Sequence, residues 1–417
     1  MLQMKIEGNR LLEGTVRIGG AKNSAVALIP ASLLSDGIVT IDNIPNISDI
    51  DALNEILEYL GAKVSNHDGT MIIDSSTTIN KEIPEQISKK LRASYYFMSA
   101  LLGKYKHVEM YFPGGCSIGA RPIDQTLKGF KALGATVKED GNKFTIDAEE
   151  LIGGHVYLDM PSVGATINTI LVAVKASGET IIENAAKEPE IVNITTFLNN
   201  MGAKITGAGT SVIKIIGVEK LGSCFTEVIP DRIEAGTYII AGALMGNNLR
   251  VENIIPDHVA TLTLKLKEMG VKIEVGDDYA IVSASEHLKP VKVKTLGYPG
   301  FPTDLQQPLT TLLTLCDGTS ILEETIYENR FQNVEYLNKM GANIIINERK
   351  IKINGPTQLH AEEVKATDLR AGACLILAAL KARGETTITN IEHVLRGYEN
   401  IEGKLKSIGA KISIEQI

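Results

Sequence analysis

One short pattern occurs six times in this chain of 417 residues: an apolar residue, Gly, Ala or Val, any residue, then Val or Ile. The copies are LGAKV at Gly61, LGATV at Gly134, MGAKI at Gly202, MGVKI at Gly270, MGANI at Gly341 and IGAKI at Gly409. They stand about 70 residues apart, the signature of a chain built from one repeated supersecondary unit. Ahead of each copy runs an amphipathic stretch such as ALNEILEYL or TLTLKLKEM, and the glycine suits the left-handed residue that ends a helix. A β-rich stretch such as KVSNHDGTMIID follows.

A second element recurs inside each unit. A polar or charged cluster opens a helix of small apolar residues, as in GGAKNSAVALIPASLL, KKLRASYYFMSALLG, MPSVGATINTILVAV, IPDRIEAGTYIIAGAL, FPTDLQQPLTTLLTL and ATDLRAGACLILAAL. Apolar on nearly all sides, these helices are expected to be buried. A turn and a strand follow each, as in DGIVTIDNI or GETIIENAA. The unit reads βαβαββ, and the class is α/β. A repeat cannot bury its apolar face alone, so three units are expected to close one domain around three buried helices, with sheets outside. That gives one domain over 22–229 and a second from 230–417 together with 1–21.

The repeat also sorts the charged residues. One set falls at the starts of the buried helices: Lys22 and Asn23, Arg92, Ser162, Asp231 and Arg232, Asp304, Asp368 and Arg370. Another falls after the following strand: Asp49 and Asp51, Cys116 and Arg121, Glu188 and Glu190, Asp257 and His258, Arg330 and Arg396. Equivalent positions lie at equivalent ends of each unit, so two facing domains would gather them in one cleft. Helix N-termini with added Lys and Arg suit a small, strongly anionic ligand carrying phosphate or carboxylate. The net charge of −8, the absence of Trp and the 5% aromatic content argue against nucleic acid and against a membrane surface.

Cys116 lies in a glycine-rich run beside Arg121, where a thiol is expected to be exposed and easily ionised. Cys316 and Cys374 sit in apolar runs and read as core, and Cys224 as an inert loop thiol. No cysteine or histidine spacing suggests a metal, and no nucleotide-binding glycine motif is present, so neither metal nor cofactor is expected. The start, MLQMKIEGNRLLEGTVRIGG, lacks the apolar core of a signal peptide, and no run is long enough to span a membrane; a cytoplasmic protein is expected.

Taken together, GGAKNS, LRAS, PGGCSIGARPID, PSVGAT, NAAKEPEI, PDRIEAGT, FPTD, ENRF, ATDLRA and RGYE resemble, along the whole chain, the enolpyruvyl transferases that act on UDP-N-acetylglucosamine. The resemblance implies a two-domain inside-out α/β barrel with the ligand cleft between domains. It implies phosphoenolpyruvate and UDP-N-acetylglucosamine as substrates, and the first committed step of peptidoglycan synthesis as the reaction. Lys22, Asn23, Arg121, Arg370 and Arg396 would bind phosphoenolpyruvate. Arg92, Arg121, Pro122, Ile123, Asp124, Gln125, Ser162, Val163, Gly164, Asp304 and Ile326 would hold the UDP-sugar. Asp304 would take the proton of the sugar 3-hydroxyl, with Lys22 and Arg396 completing the catalytic set. Cys116 would be the proton donor or an aid to product release, would form a covalent adduct, and would be the target of fosfomycin. Thr126, Met160 and Tyr298 depart from residues found in some relatives and bear on nucleotide affinity. Two other readings stand beside this one, a 5-enolpyruvylshikimate-3-phosphate synthase-like transferase and a non-catalytic UDP-sugar-binding relative. The oligomeric state is left open.

Overall fold

The computed structural model describes residues 2–112 and 123–416. Two compact units form, one within residues 20–229 and the other joining the segment up to residue 19 to the chain from residue 230 onward. Each has its own continuous apolar core.

At the centre of each core lie helices without a wet face. In the first unit these are Lys22–Ala31, Tyr95–Tyr105 and Val163–Ala173; the middle one packs against both others. In the second they are Arg232–Met245, Gln306–Leu313 and Leu369–Lys381, all in mutual contact. From Ile233 to Met245 every residue is buried. Such a helix is stabilised by burial on all sides rather than by an amphipathic stripe. Its composition follows: Ala, Gly, Ser and Thr allow close approach, and Leu and Ile fill the gaps.

Sheets are laid around these helices, three in each unit among the described residues. A representative sheet runs Lys204–Thr206, Val212–Ile216, Glu179–Glu183, His155–Tyr157, with an antiparallel hairpin on one side and a parallel edge strand on the other. Its central strands alternate buried and solvated residues, as one-faced sheets do.

Two regularities tie sequence to backbone. The signature glycines Gly61, Gly134, Gly202, Gly270, Gly341 and Gly409 all have φ between 91° and 107°, the left-handed region expected at a helix end. The second regularity is an asparagine directly after the strand that follows a buried helix. Asn43, Asn184, Asn253 and Asn390 all have φ near 57°. The Asn43, Asn184 and Asn253 amides donate to the carbonyls of Val228, Leu158 and Ile18, at 2.8, 2.8 and 2.7 Å. Each acceptor is the residue just beyond the neighbouring parallel strand, so the asparagine fastens two strand ends together.

Strand pairing is not local in sequence. Thr15–Arg17 pairs in parallel with Leu249–Glu252, and Cys224–Glu227 with Ile38–Asp42. Leu2–Glu7 lies between Glu385–Thr389 and Lys411–Gln416, antiparallel to both. The first strand of the chain thereby completes the last sheet. Cys224 opens a strand, half-buried, rather than lying in a loop; Cys316 and Cys374 are fully buried. No helix among the described residues is long and apolar enough to cross a membrane.

The glycine caps give a test. A Cβ at Gly202 would meet nothing within 4 Å, so Gly202→Ala should cost only the left-handed backbone, about 1 kcal/mol in denaturant unfolding. At Gly217 the φ is not positive, but a Cβ would overlap the Ala176 carbonyl, so Gly217→Ala should cost more. Equal losses at the two positions would contradict this account.

Candidate active site

The buried helices carry neutral polar groups along their flanks only where these are hydrogen-bonded, as Ser99 is to Asn168, and their N-terminal turns are where the charged residues gather. Three of these turns are capped conventionally. The Ser162 hydroxyl accepts from Ala165 N at 3.2 Å; the Asp231 carboxylate accepts from Ile233 N and Glu234 N at 2.8 and 3.0 Å; Asp368 accepts from Arg370 N and Ala371 N at 2.9 and 3.0 Å. The helix Lys22–Ala31 has no side-chain cap, its N-cap being Ala21. Its first residue, Lys22, instead reaches Asp49 in the first turn of Ser48–Tyr59, with Nζ 2.7 Å from Oδ2 and both side chains largely buried. Asn23 follows in the same turn.

Asp304 is different from the other helix-start acids. It lies in the short turn Thr303–Leu305 ahead of Gln306–Leu313 and caps nothing with its side chain. Arg330 donates from Nη2 to Oδ1 at 2.6 Å, and Arg370 from Nη2 to Oδ2 at 3.3 Å. Removal from water alone would push this carboxyl up. The Arg370 and Arg330 guanidiniums, with Arg232 beyond them, overcome that and hold it well below the usual carboxylate range. Arg330 also donates from Nη1 to the Thr303 hydroxyl at 2.7 Å. That hydroxyl donates to Glu324 at 2.7 Å. The Arg370 guanidinium stands 5.4 Å from the ring of Tyr398, whose hydroxyl is 2.9 Å from that of Thr237. Arg396 is half-buried at the end of the short helix Glu392–Leu395.

A second group forms in the first unit. Arg92 opens the turn Arg92–Ser94, with its guanidinium 5.5 Å from the Tyr95 ring and 5.3 Å from that of Phe112. The Tyr95 hydroxyl lies where a side chain at Gly164 would stand, so Gly164, just past Ser162 and Val163, packs against the residue that follows the Arg92 turn. That turn in turn packs on the helix bearing Lys22 and Asn23. Ile123 is buried ahead of the helix Asp124–Ala132, whose first turn carries Asp124 and Gln125. Gln125 makes a two-way bond with Asp159, donating from Nε2 at 2.9 Å and accepting from the backbone N at 2.8 Å. This ties the helix start to the segment that leads into Ser162. Ile326 lies in the second unit, partly exposed, with its backbone N held by Glu324 at 2.8 Å. Cys116, Arg121 and Pro122 lie outside the described residues.

Asp159, Thr303 and Glu324 are the supporting residues that sequence reasoning missed. Asp159 looks like any exposed acid. Among the described residues no group of three or more His, Cys, Asp or Glu side chains is placed to hold a metal ion. Burial pushes the Cys224, Cys316 and Cys374 thiols up to about 11 each.

The comparisons with known proteins agree along the chain. Residues 6–405 match the family model described as EPSP synthase (3-phosphoshikimate 1-carboxyvinyltransferase). A relative from Geobacillus kaustophilus named UDP-N-acetylglucosamine 1-carboxyvinyltransferase 2 is 53% identical over all of this chain and 97% of its own length. A Bacillus subtilis relative of the same name is also 53% identical, again over 100% of this chain and 97% of the relative. Among solved structures, the enolpyruvyl transferase NikO from Streptomyces tendae covers 100% of this chain and 99% of its own, with a TM-score of 0.91 at 27% identity. EPSP synthase from Acinetobacter baumannii covers 100% of both chains, with a TM-score of 0.77 at 18% identity, a likeness of fold.

The caps can be tested apart from the chemistry. Asp368→Ala should lower the free energy of unfolding by about 1 kcal/mol, whereas Asp368→Asn, which still accepts from the first-turn amides, should cost a few tenths. Equal losses would show that Asp368 is needed as a charge and not as a cap.

Proposed function

The chain belongs to the enolpyruvyl transferase family, and from that premise we propose that it transfers the enolpyruvyl group of phosphoenolpyruvate to the 3-hydroxyl of UDP-N-acetylglucosamine, with release of phosphate. One observation carries the reading: relatives named for this reaction match the chain from end to end at 53% identity. In this reading the chain is cytoplasmic, consists of six βαβαββ repeats, and catalyses the first committed step of peptidoglycan synthesis.

The reading assigns roles. The transferred group arrives with a phosphate and a carboxylate, and the acceptor with a diphosphate, so cations must be in place before the substrates meet. Lys22 and Asn23, with Arg370 and Arg396, bind phosphoenolpyruvate; Arg92, Ile123–Gln125, Ser162–Gly164 and Ile326 hold the UDP-sugar. Arg121 and Pro122 take part in the same binding. The sugar oxygen bonds to carbon 2 of the enol as its proton passes to Asp304, and carbon 3 takes up a proton. Loss of a proton from carbon 3 and cleavage of the bond from carbon 2 to the phosphate oxygen then give product and phosphate. Cys116 serves as the donor to carbon 3 or in product release.

Asp304 between two arginines is a weak base. A substrate anion that draws Arg370 to itself removes a positive charge from the carboxylate and raises its proton affinity. The base is thus activated by the arrival of phosphoenolpyruvate, which supports a requirement for both substrates.

Phosphate release should occur with both substrates and not with either alone. Shikimate 3-phosphate should not replace the UDP-sugar; if it does, the synthase-like reading takes over. Asp304→Asn should lower turnover by a factor on the order of 10² to 10⁴ while circular dichroism remains unchanged. Near-normal turnover would remove Asp304 from the mechanism. The epoxide phosphonate fosfomycin should alkylate Cys116 and leave Cys224, Cys316 and Cys374 unmodified, because thiols near 11 hold almost no thiolate at neutral pH. Mass spectrometry placing the adduct on one of those three would contradict this.

A further inference from the structure

We propose that Glu324 and Thr303 are positioning residues for the transfer reaction, fixing the Arg330 guanidinium and, through it, the Asp304 carboxylate. The inference rests on Asp304 being the base assigned above.

The argument begins with a broken repeat. Directly after the strand that follows a buried helix, four units carry Asn43, Asn184, Asn253 or Asn390. The unit that holds Asp304 carries Glu324 there, directly after Thr319–Glu323. The polarity of the contact is reversed. Where Asn43, Asn184 and Asn253 donate to the residue beyond the neighbouring strand, Glu324 accepts from the hydroxyl of the residue in that place, Thr295, at 2.9 Å. In four of the other five units an asparagine suffices for the scaffold, and in the fifth Phe112 stands there after His107–Tyr111, so the acid answers another need.

That need is an acceptor without hydrogens. Glu324 is 0% exposed and accepts from the Thr295 hydroxyl, the Thr303 hydroxyl at 2.7 Å, Ile326 N at 2.8 Å and Tyr327 N at 3.2 Å. A buried carboxylate is tolerated when donors surround it in this way. Thr303 has one hydroxyl proton, and giving it to Glu324 leaves its lone pairs facing Arg330 Nη1 at 2.7 Å. The other end of the guanidinium then meets Asp304 Oδ1 at 2.6 Å. Every proton in the line from Asp304 to Glu324 is therefore assigned, and Arg330 has one orientation. The same carboxylate fixes the backbone at Ile326, so the base and that contact share an anchor.

The test compares Thr303→Val, Thr303→Ser and Glu324→Gln with the wild-type protein in the two-substrate phosphate-release assay, with melting curves for each. Thr303→Val keeps the shape and removes the hydroxyl. Its kcat should fall roughly 10- to 100-fold while each KM stays within about threefold. Thr303→Ser should stay within about threefold of wild type. Glu324→Gln should fall as Thr303→Val does, and the double variant should be no slower than the slower single one, because both break one line. In Glu324→Gln the loss should fall on kcat, with each KM within about threefold of wild type; a merely structural role would raise KM as well. This last measurement decides the matter if Thr303→Val does not fold. Wild-type kcat in Thr303→Val, equal losses in Thr303→Val and Thr303→Ser, or a raised KM with unchanged kcat in Glu324→Gln would overturn the proposal. A wild-type protein that releases no phosphate with both substrates would sink the assigned reaction and this inference with it.

Discussion

A helix buried on every side is the constraint from which the rest of the molecule follows. No charge can be placed along its flanks without a large cost in free energy, so its charged groups must collect at its ends. The C-terminal ends run into turns that lead to the sheets. The N-terminal ends are left with unpaired N–H groups, partial positive charge and room for side chains. Lys22, Arg232 and Arg370 stand in those first turns, beside the caps Ser162, Asp231 and Asp368. Charged side chains are concentrated there because the interior of the fold excludes them.

Competition between two kinds of bond explains Asp304. An aspartate before a helix ordinarily accepts from first-turn amides, an interaction worth about 1 kcal/mol. Here two guanidiniums offer charge-assisted bonds, which are stronger and directional. The carboxylate turns to them, and the helix behind it begins without a side-chain cap. A local structural preference has been given up in favour of two charge-assisted bonds.

Much of this was legible in the sequence. The six glycine signatures identified helix ends, and their backbone angles are those of left-handed caps. The all-apolar helices were recognisable because their composition has no polar face to show. The helix-start residues Lys22, Asp304 and Arg370 were placed by the repeat alone. What sequence did not reveal is direction and partnership. FPTD places Asp304 at a helix start, but nothing in it says that Arg330 and Arg370 will arrive. Glu324 was hidden in the polar run EETIYENR, where one inward-facing acid cannot be told from its exposed neighbours. The asparagines after Ile38–Asp42 and its counterparts were visible, but each resembled an ordinary turn until strand register aligned them. Cys224 read as loop because GSCFTE is polar, while its strand pairs with residues far away at Val39.

The insertion of residues 20–229 between the two segments of the other unit also has an order in time. A chain made from its N-terminus produces Leu2–Glu7 long before the two neighbours of that strand, Glu385–Thr389 and Lys411–Gln416. The unit within residues 20–229 has all its partners once residue 229 has emerged. Its predecessor on the ribosome must wait through the synthesis of almost everything else with its backbone edges unpaired. Leu2–Glu7 is short and carries Lys5 and Glu7 among its apolar residues, a composition that discourages pairing with other chains during that delay.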